Sequence, residues 1–232
     1  MSTMKLEKVT EKAGRRYDDA CGTAHGLEIL GERWALLVVR ELMLGPRRFG
    51  DLRASLPGLS ANVLTQRLDG LEAAGVVVRR RLPPPASVPV YDLTDWGREA
   101  EAVIQALGRW AARSPDHDPT LPLSPVSMML SLRTMFDPTK AGDALLALGF
   151  RFGEVAFRVC VADGLLTVER TAPEHVAAVV VGTPEAVAAV IYGDAEGAAA
   201  RMRDLLAVEG DPDAFLRFAG WFELPPKATR PA

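Results

Sequence analysis

Cysteine and histidine are scarce in this chain of 232 residues: two cysteines, Cys21 and Cys160, lie far apart, and His25, His117 and His175 are scattered. A disulfide scaffold and the usual zinc sites are therefore excluded, and no metal is expected. No apolar run approaches the ~20 residues that a helix needs to cross a bilayer. The opening MSTMKLEKVTEKAGRRYDD is charged, unlike a signal peptide. The expectation is a soluble, cytoplasmic protein with no membrane partner. Catalytic signatures are missing as well: there is no Gly-x-Ser-x-Gly, no phosphate-cradling glycine loop, no His-Glu-x-x-His and no carboxylate pair beyond ordinary surface spacing. His175, beside Glu174 and after Pro173, reads as a solvated loop residue and not as a base. Neither an enzyme nor a cofactor is expected.

Although aromatics make up only 6%, hydrophobic residues reach 48%, ample for a core, and this rules out a disordered or fibrous chain. The net charge of −3 hides an asymmetry: residues 1–113 carry 17 Lys and Arg against 14 Asp and Glu, or +3, whereas residues 114–232 carry 10 against 16, or −6. Opposite signs in the two parts suggest a division of labour. Composition puts the boundary at residues 114–125, SPDHDPTLPLSP, where four prolines in twelve residues favour an extended linker. A second proline cluster, Pro83 to Pro85 with Pro89, is flanked closely by apolar strands and reads as a hairpin loop. The last eight residues, 225–232, are expected to fray.

In the first part, Leu27, Leu30, Trp34, Leu37, Val38 and Leu42 recur at helical spacing, predicting one long amphipathic helix from Ala24 to Leu44 that Gly45-Pro46 ends. A short helix around Phe49, Leu52 and Leu56 follows and closes at Pro57-Gly58. Ser60 is a good N-cap for the next helix, whose Leu64, Leu68 and Leu71 share a face until Gly75. Asn62, Gln66, Asp69 and Ala73 then point away from the leucines, with Thr65 at the edge. VVVRRRL and VYDLT are β-branched and read as two strands of a ribbon. Alternation puts Arg79 and Arg81 on one side of it and Arg80 on the other. Thr94 or Asp95 caps a last helix carrying Trp96, Ala100, Val103, Leu107 and Trp110. Two helices around a tight turn followed by a hairpin make a winged helix-turn-helix. An arginine triplet is more often a solvated face, and Asn62 with Gln66 could be merely a polar one; the wing context favours a nucleic-acid contact. Trp34 and Trp110 lie in apolar stripes and read as core or dimer interface, not as ligand groups.

Residues 17–113 resemble the HxlR-type winged-helix transcriptional regulators of bacteria, which are MarR-like. The landmarks are Cys21 ahead of the first helix, Gly-x-x-Trp at Gly31 to Trp34, Arg48-Phe49 with Leu52, Leu-Thr-x-Arg-Leu at Leu64 to Leu68, Tyr-x-Leu-Thr at Tyr91 to Thr94, and Gly97. One departure is Gly22, where many relatives carry proline. The resemblance implies a homodimer on a near-palindromic double-stranded DNA operator, with residues 60–73 as the recognition helix. Ser60 opens that helix, and Asn62, Thr65 and Gln66 approach base edges, Gln being suited to adenine. Arg47, Arg48, Arg67, Arg79 and Arg81 would meet phosphates. Dimerisation would involve the region near Cys21 and the helix from Trp96 to Arg113. Some relatives sense oxidants or electrophiles through a cysteine at this position, so Cys21 has two readings, a redox sensor or a small structural residue. A helix N-terminus favours its thiolate, while Asp18 and Asp19 oppose it. Cys160, on a predicted strand, is expected to be inert.

In the second part, VSMMLSLRTMF alternates and predicts a strand, two more strands join at Asp163-Gly164, and AAVVVG and LLAVEG add others. Helices start at Thr183-Pro184 and Asp211-Pro212. The expected class is α+β, an antiparallel sheet with helices on one face. "VVVGTPEAVAAVIYGD" and "LAVEGDPDAFLRFAGWF" are similar to the sterol carrier protein type 2 fold, a match covering residues 126–224. That similarity implies an apolar pocket, for which alternation nominates Met128, Leu130, Leu132, Phe157, Val159, Phe215 and Phe222; a filled core is the plainer reading of each. The combined expectation is a homodimeric DNA-binding transcriptional regulator, a repressor by preference. Control would come from a small apolar effector or Cys21 oxidation, with the effector acting by differential affinity for two conformations. The alternative is a carrier of lipid or other apolar molecules that uses its winged helix for dimerisation or protein contacts.

Overall fold

The computed structural model describes residues 17–230. The first half runs α1 (Gly22–Leu30), α2 (Ala35–Leu42), α3 (Phe49–Ser55), α4 (Ala61–Ala73), β1 (Val77–Arg81), β2 (Pro89–Leu93) and α5 (Asp95–Ala112). The winged helix-turn-helix is therefore present. The long first helix is a correction: α1 stops at Gly31, and Trp34 sits at φ 79°, in the left-handed region, before α2 begins. Helical spacing persists across the break, so periodicity alone could not reveal it. Gly31 matters here because an added Cβ would lie 2.4 Å from the Leu27 carbonyl oxygen.

The second half runs α6 (Pro125–Met135), α7 (Pro138–Ala141), β3 (Leu146–Phe152), β4 (Val155–Ala162), β5 (Leu165–Glu169), β6 (Ala178–Val181), α8 (Pro184–Ile191), α9 (Ala198–Leu205), β7 (Ala207–Gly210) and α10 (Pro212–Ala219). The expected strand VSMMLSLRTMF is helix α6. Ser124 caps it, its hydroxyl accepting from the Ser127 N–H at 2.9 Å, and Pro125 takes the first position. Val126, Met128, Met129, Leu130, Leu132 and Met135 are all buried, so the helix is apolar around most of its circumference and shows no clean period.

The sheet order is β5-β4-β3-β6-β7. It is mixed, not antiparallel throughout as expected, because β6 lies parallel to the central strand β3. The chain leaves the β5 edge and crosses β3 to reach the other side. A Cβ at Gly149 of β3 would fall 2.4 Å from the Pro173 Cβ, so only glycine lets the crossover pass this close.

One hydrophobic core runs from Ala35 to Phe222 across both halves. The proline-rich connector is pinned: the Leu123 N–H donates to the Glu185 carboxylate at 2.8 Å and the Ser124 hydroxyl to Glu41 Oε1 at 2.6 Å. The tail expected to fray makes contacts at the end of α5 through residues 226–228. Lys227 Nζ donates to the carbonyls of Ala112, Ser114 and His117 at 3.0–3.2 Å, placing a cation at the C-terminal end of α5, where the helix dipole favours it. Pro231 and Ala232 lie outside the described residues. No helix among the described residues is long and apolar enough to cross a membrane.

Candidate nucleic-acid interface

Helix α4 is held by its leucines. Leu64 and Leu68 are fully buried and Leu71 nearly so, while Asn62, Thr65, Gln66 and Asp69 are exposed. Ser60 caps the helix, accepting from the Val63 N–H at 3.3 Å, and the Thr65 hydroxyl returns to the Ala61 carbonyl. The short polar groups named from the sequence thus stand on the outer face of a helix anchored from within.

The wing lies beside them. β1 pairs with β2 with Arg79 opposite Tyr91, and the Arg79 guanidinium sits 5.7 Å from the Tyr91 ring centroid. Arg79 and Arg81 share a side, as alternation requires, and both are exposed. Arg80, on the opposite side, donates to Asp92 Oδ2 from Nε at 2.9 Å and from Nη2 at 2.5 Å, while Arg98 reaches Asp92 Oδ1 at 3.0 Å. Asp92 is buried and so ties the wing to α5 through two cations. A concavity of about 430 Å³ between α3, α4 and the wing is lined by Arg48, Thr65, Arg79 and Tyr91, among others. Residues distant in sequence are thereby gathered on one surface.

Two arginines named for phosphates are engaged within the chain. Arg47 is only 7% exposed, and its Nη2 donates to the Asp51 carbonyl at 3.3 Å and the Ser55 hydroxyl at 2.9 Å. Arg67 bonds the Arg33 carbonyl at 3.0 Å and Glu32 at 3.1 Å, bracing α4 against the turn before α2. Backbone pairing explains the first: Arg47 exchanges both main-chain hydrogen bonds with Tyr91, so neighbouring side chains alternate, Arg47 inward and Arg48 outward.

Cys21 is exposed and is the N-cap residue of α1. Its thiol is held below the ordinary value, first by the Thr23 N–H, then by the Ala24 N–H and the Thr23 hydroxyl, all of which favour the thiolate. On α5, Trp96 (51% exposed), Val103 (53%), Leu107 (44%) and Trp110 (72%) form an apolar stripe that the described residues leave exposed, so Trp110 does not sit in their core.

The nominated pocket residues behave differently. Met128, Leu130, Leu132, Phe157, Val159, Phe215 and Phe222 are all buried. The first three lie on helix α6, so strand alternation does not apply to them. Phe150 packs against Phe215 and Phe218 with ring centroids 6.2 and 6.0 Å apart, and Phe218 lies 4.7 Å from Phe222. These side chains fill space instead of lining it.

Comparison with known proteins bears on the first half. The HxlR-like helix-turn-helix family matches residues 29–118. The uncharacterized HTH-type transcriptional regulator YvaP of Bacillus subtilis is 39% identical over 85 residues, which is 37% of this chain and 79% of YvaP. YodB, an HTH-type transcriptional regulator of the same organism, is 37% identical over 83 residues, covering 36% of this chain and 74% of YodB. Among solved structures, the reduced form of YodB is similar at 32% identity and a TM-score of 0.39, over 43% of this chain and 100% of that one. Cys21 and residues 119–232 lie outside the family match.

Proposed function

Since the chain belongs to the HxlR-like helix-turn-helix family and is a transcriptional regulator, we propose that it reads a near-palindromic operator as a homodimer, with α4 in the major groove. The observation that carries this reading is the outward amide and hydroxyl face of α4, set beside Arg48 and Arg79 over buried leucines. Gln66 and Asn62 present the donor and acceptor pair that matches adenine, and Thr65 reaches a neighbouring edge. Arg48, Arg79 and Arg81 supply phosphate contacts that fix register and affinity. The apolar stripe of α5 is the dimer face, and it is what a two-fold arrangement of reading heads needs. Repression follows where the operator overlaps a promoter.

Labour divides at the connector 114–125. Residues 126–224 form a second module, for which the sterol-carrier-like arrangement rests on the sequence similarity alone. Cys21 adds a redox input: its thiol is exposed and its thiolate is favoured by the start of α1. The carrier alternative loses support, because the positions it would use for cargo are packed.

Selection of bound genomic fragments by the purified protein tests this reading. It expects recovery of a few fragments sharing an inverted repeat with half-sites about one helical turn apart; recovery without sequence preference overturns it. Release of the operator by diamide in the native chain but not in Cys21→Ser tests the redox input, and equal release in both removes it.

A further inference from the structure

A cleft of about 690 Å³, the size of a small-ligand site, opens between the reading half and the C-terminal half. Trp34, Leu37 and Leu56 form one wall, from the start of α2 and the end of α3; Leu123 and Val155 face it from the second half. Its cations are unequally matched. Arg40 is satisfied by Glu41, with Nε and Nη2 at 3.1 and 2.9 Å from Oε1. Arg47 is not: although 93% buried, it donates only to a carbonyl and a hydroxyl, and its Nε has no acceptor. Arg170, just beyond β5, makes no hydrogen bond or ion pair among the described residues. Partial burial and then the neighbouring Arg47 charge push the Arg170 pKa down, with Asp51 and Glu41 opposing. Two like charges thus line one cleft, Arg47 buried and Arg170 exposed, and no carboxylate among the described residues is hydrogen-bonded to either. The N-terminus of α6, at Ser124 to Ser127, adds its positive dipole end to the same wall. Asp51 and Glu154 also line the cleft without pairing to either arginine, which disfavours a multiply charged ligand.

We propose that this cleft is an effector site for a small organic monoanion, its carboxylate between the Arg47 and Arg170 guanidinia and its flat apolar body against Trp34, Leu37 and Leu56. The ligand differs from the apolar effector that the sequence suggests, and the site lies at the junction, not inside the C-terminal core. Its regulatory consequence rests on the DNA-reading function. Because one wall ends α3 and the other belongs to the second half, an occupant bridges them. It changes operator affinity by the same factor as the operator changes its own.

Calorimetric titration of the full chain, without DNA, tests the site. The probes are benzoate, 1-naphthoate and indole-3-acetate, with 1-naphthalenemethanol as neutral isostere and inorganic phosphate as body-free anion. The expected result is one site per chain for at least one aromatic carboxylate, with affinity at least tenfold above the alcohol and phosphate. Arg170→Gln, at an exposed side chain whose loss leaves no partner behind, weakens it at least tenfold. Arg203→Gln on the far helix α9 does not. No binding by any of the three carboxylates, equal binding of the alcohol, or an unaffected Arg170→Gln overturns the proposal. Failure of the genomic selection with carboxylate binding intact removes the regulatory consequence and leaves the site standing.

Discussion

At the scale of single residues, the sequence showed which side chains bear chemistry better than it showed where they point. Arg47 and Arg48 are chemically identical neighbours, and only the two-bond pairing of Arg47 with Tyr91 turns one inward and the other out. No local pattern encodes that pairing, since its partner is 44 positions away in the sequence. Arg170 went unnoticed for a similar reason: a lone arginine after a strand acquires meaning only when folding brings Arg47 to the same cleft. Cys21 stands out in the sequence through the resemblance and its place just ahead of a helix, both local features. Its N–H neighbours lower the thiol pKa, so the thiolate persists to lower pH in the native chain than in the unfolded one. The rate of Cys21 alkylation by iodoacetamide against pH, followed by mass spectrometry, is expected to inflect below the curve for the urea-unfolded protein. Coincident curves would contradict this.

Helices with both a cap and a clear period are legible in the sequence, whereas α6 has the cap without the period. Thr183-Pro184 and Asp211-Pro212 announced α8 and α10, yet the equivalent Ser124-Pro125 was absorbed into the proline-rich connector. Burial over most of the α6 surface then removed the helical stripe and left a spurious alternation. The central strand β3 was missed outright: Gly149 interrupts its apolar run for a crossover that is visible only in three dimensions. Gly149→Ala must displace Pro173 or the strand, at a cost of about 1–3 kcal/mol in urea unfolding; a change under about 0.5 kcal/mol would show that the crossover yields freely. In the wing, Asp92→Asn removes the anion that holds Arg80 and Arg98. Stability is expected to fall by about 1.5–3 kcal/mol, with faster amide exchange confined to β1 and β2. Unchanged exchange there would mean that the wing is held by its ladder alone.

For the whole molecule, the charge asymmetry and the connector announced two halves, but not that they share one core or that the tail returns to the end of α5. Contacts between distant segments such as Glu41 and Ser124 leave no trace in composition. The exposed stripe of α5 belongs to this scale, since the proposed dimer would cover it. Trp110→Glu is expected to shift the protein from dimer to monomer in sedimentation at micromolar concentration, and to weaken operator binding at least tenfold with α4 intact; a persistent dimer would place the interface elsewhere. The proposed operator recognition depends on α4 reading sequence while the wing holds phosphates. The most direct test is operator affinity, by fluorescence anisotropy across a range of salt, for the native chain, Gln66→Ala and Arg79→Ala, each on the selected operator and on an unrelated duplex. Gln66→Ala is expected to lose about 1–3 kcal/mol of discrimination per half-site with its salt slope unchanged. Arg79→Ala is expected to weaken both duplexes alike and to reduce the slope by about 1 for each site occupied. Full discrimination retained by Gln66→Ala, or a salt-independent affinity in the native chain, would contradict it.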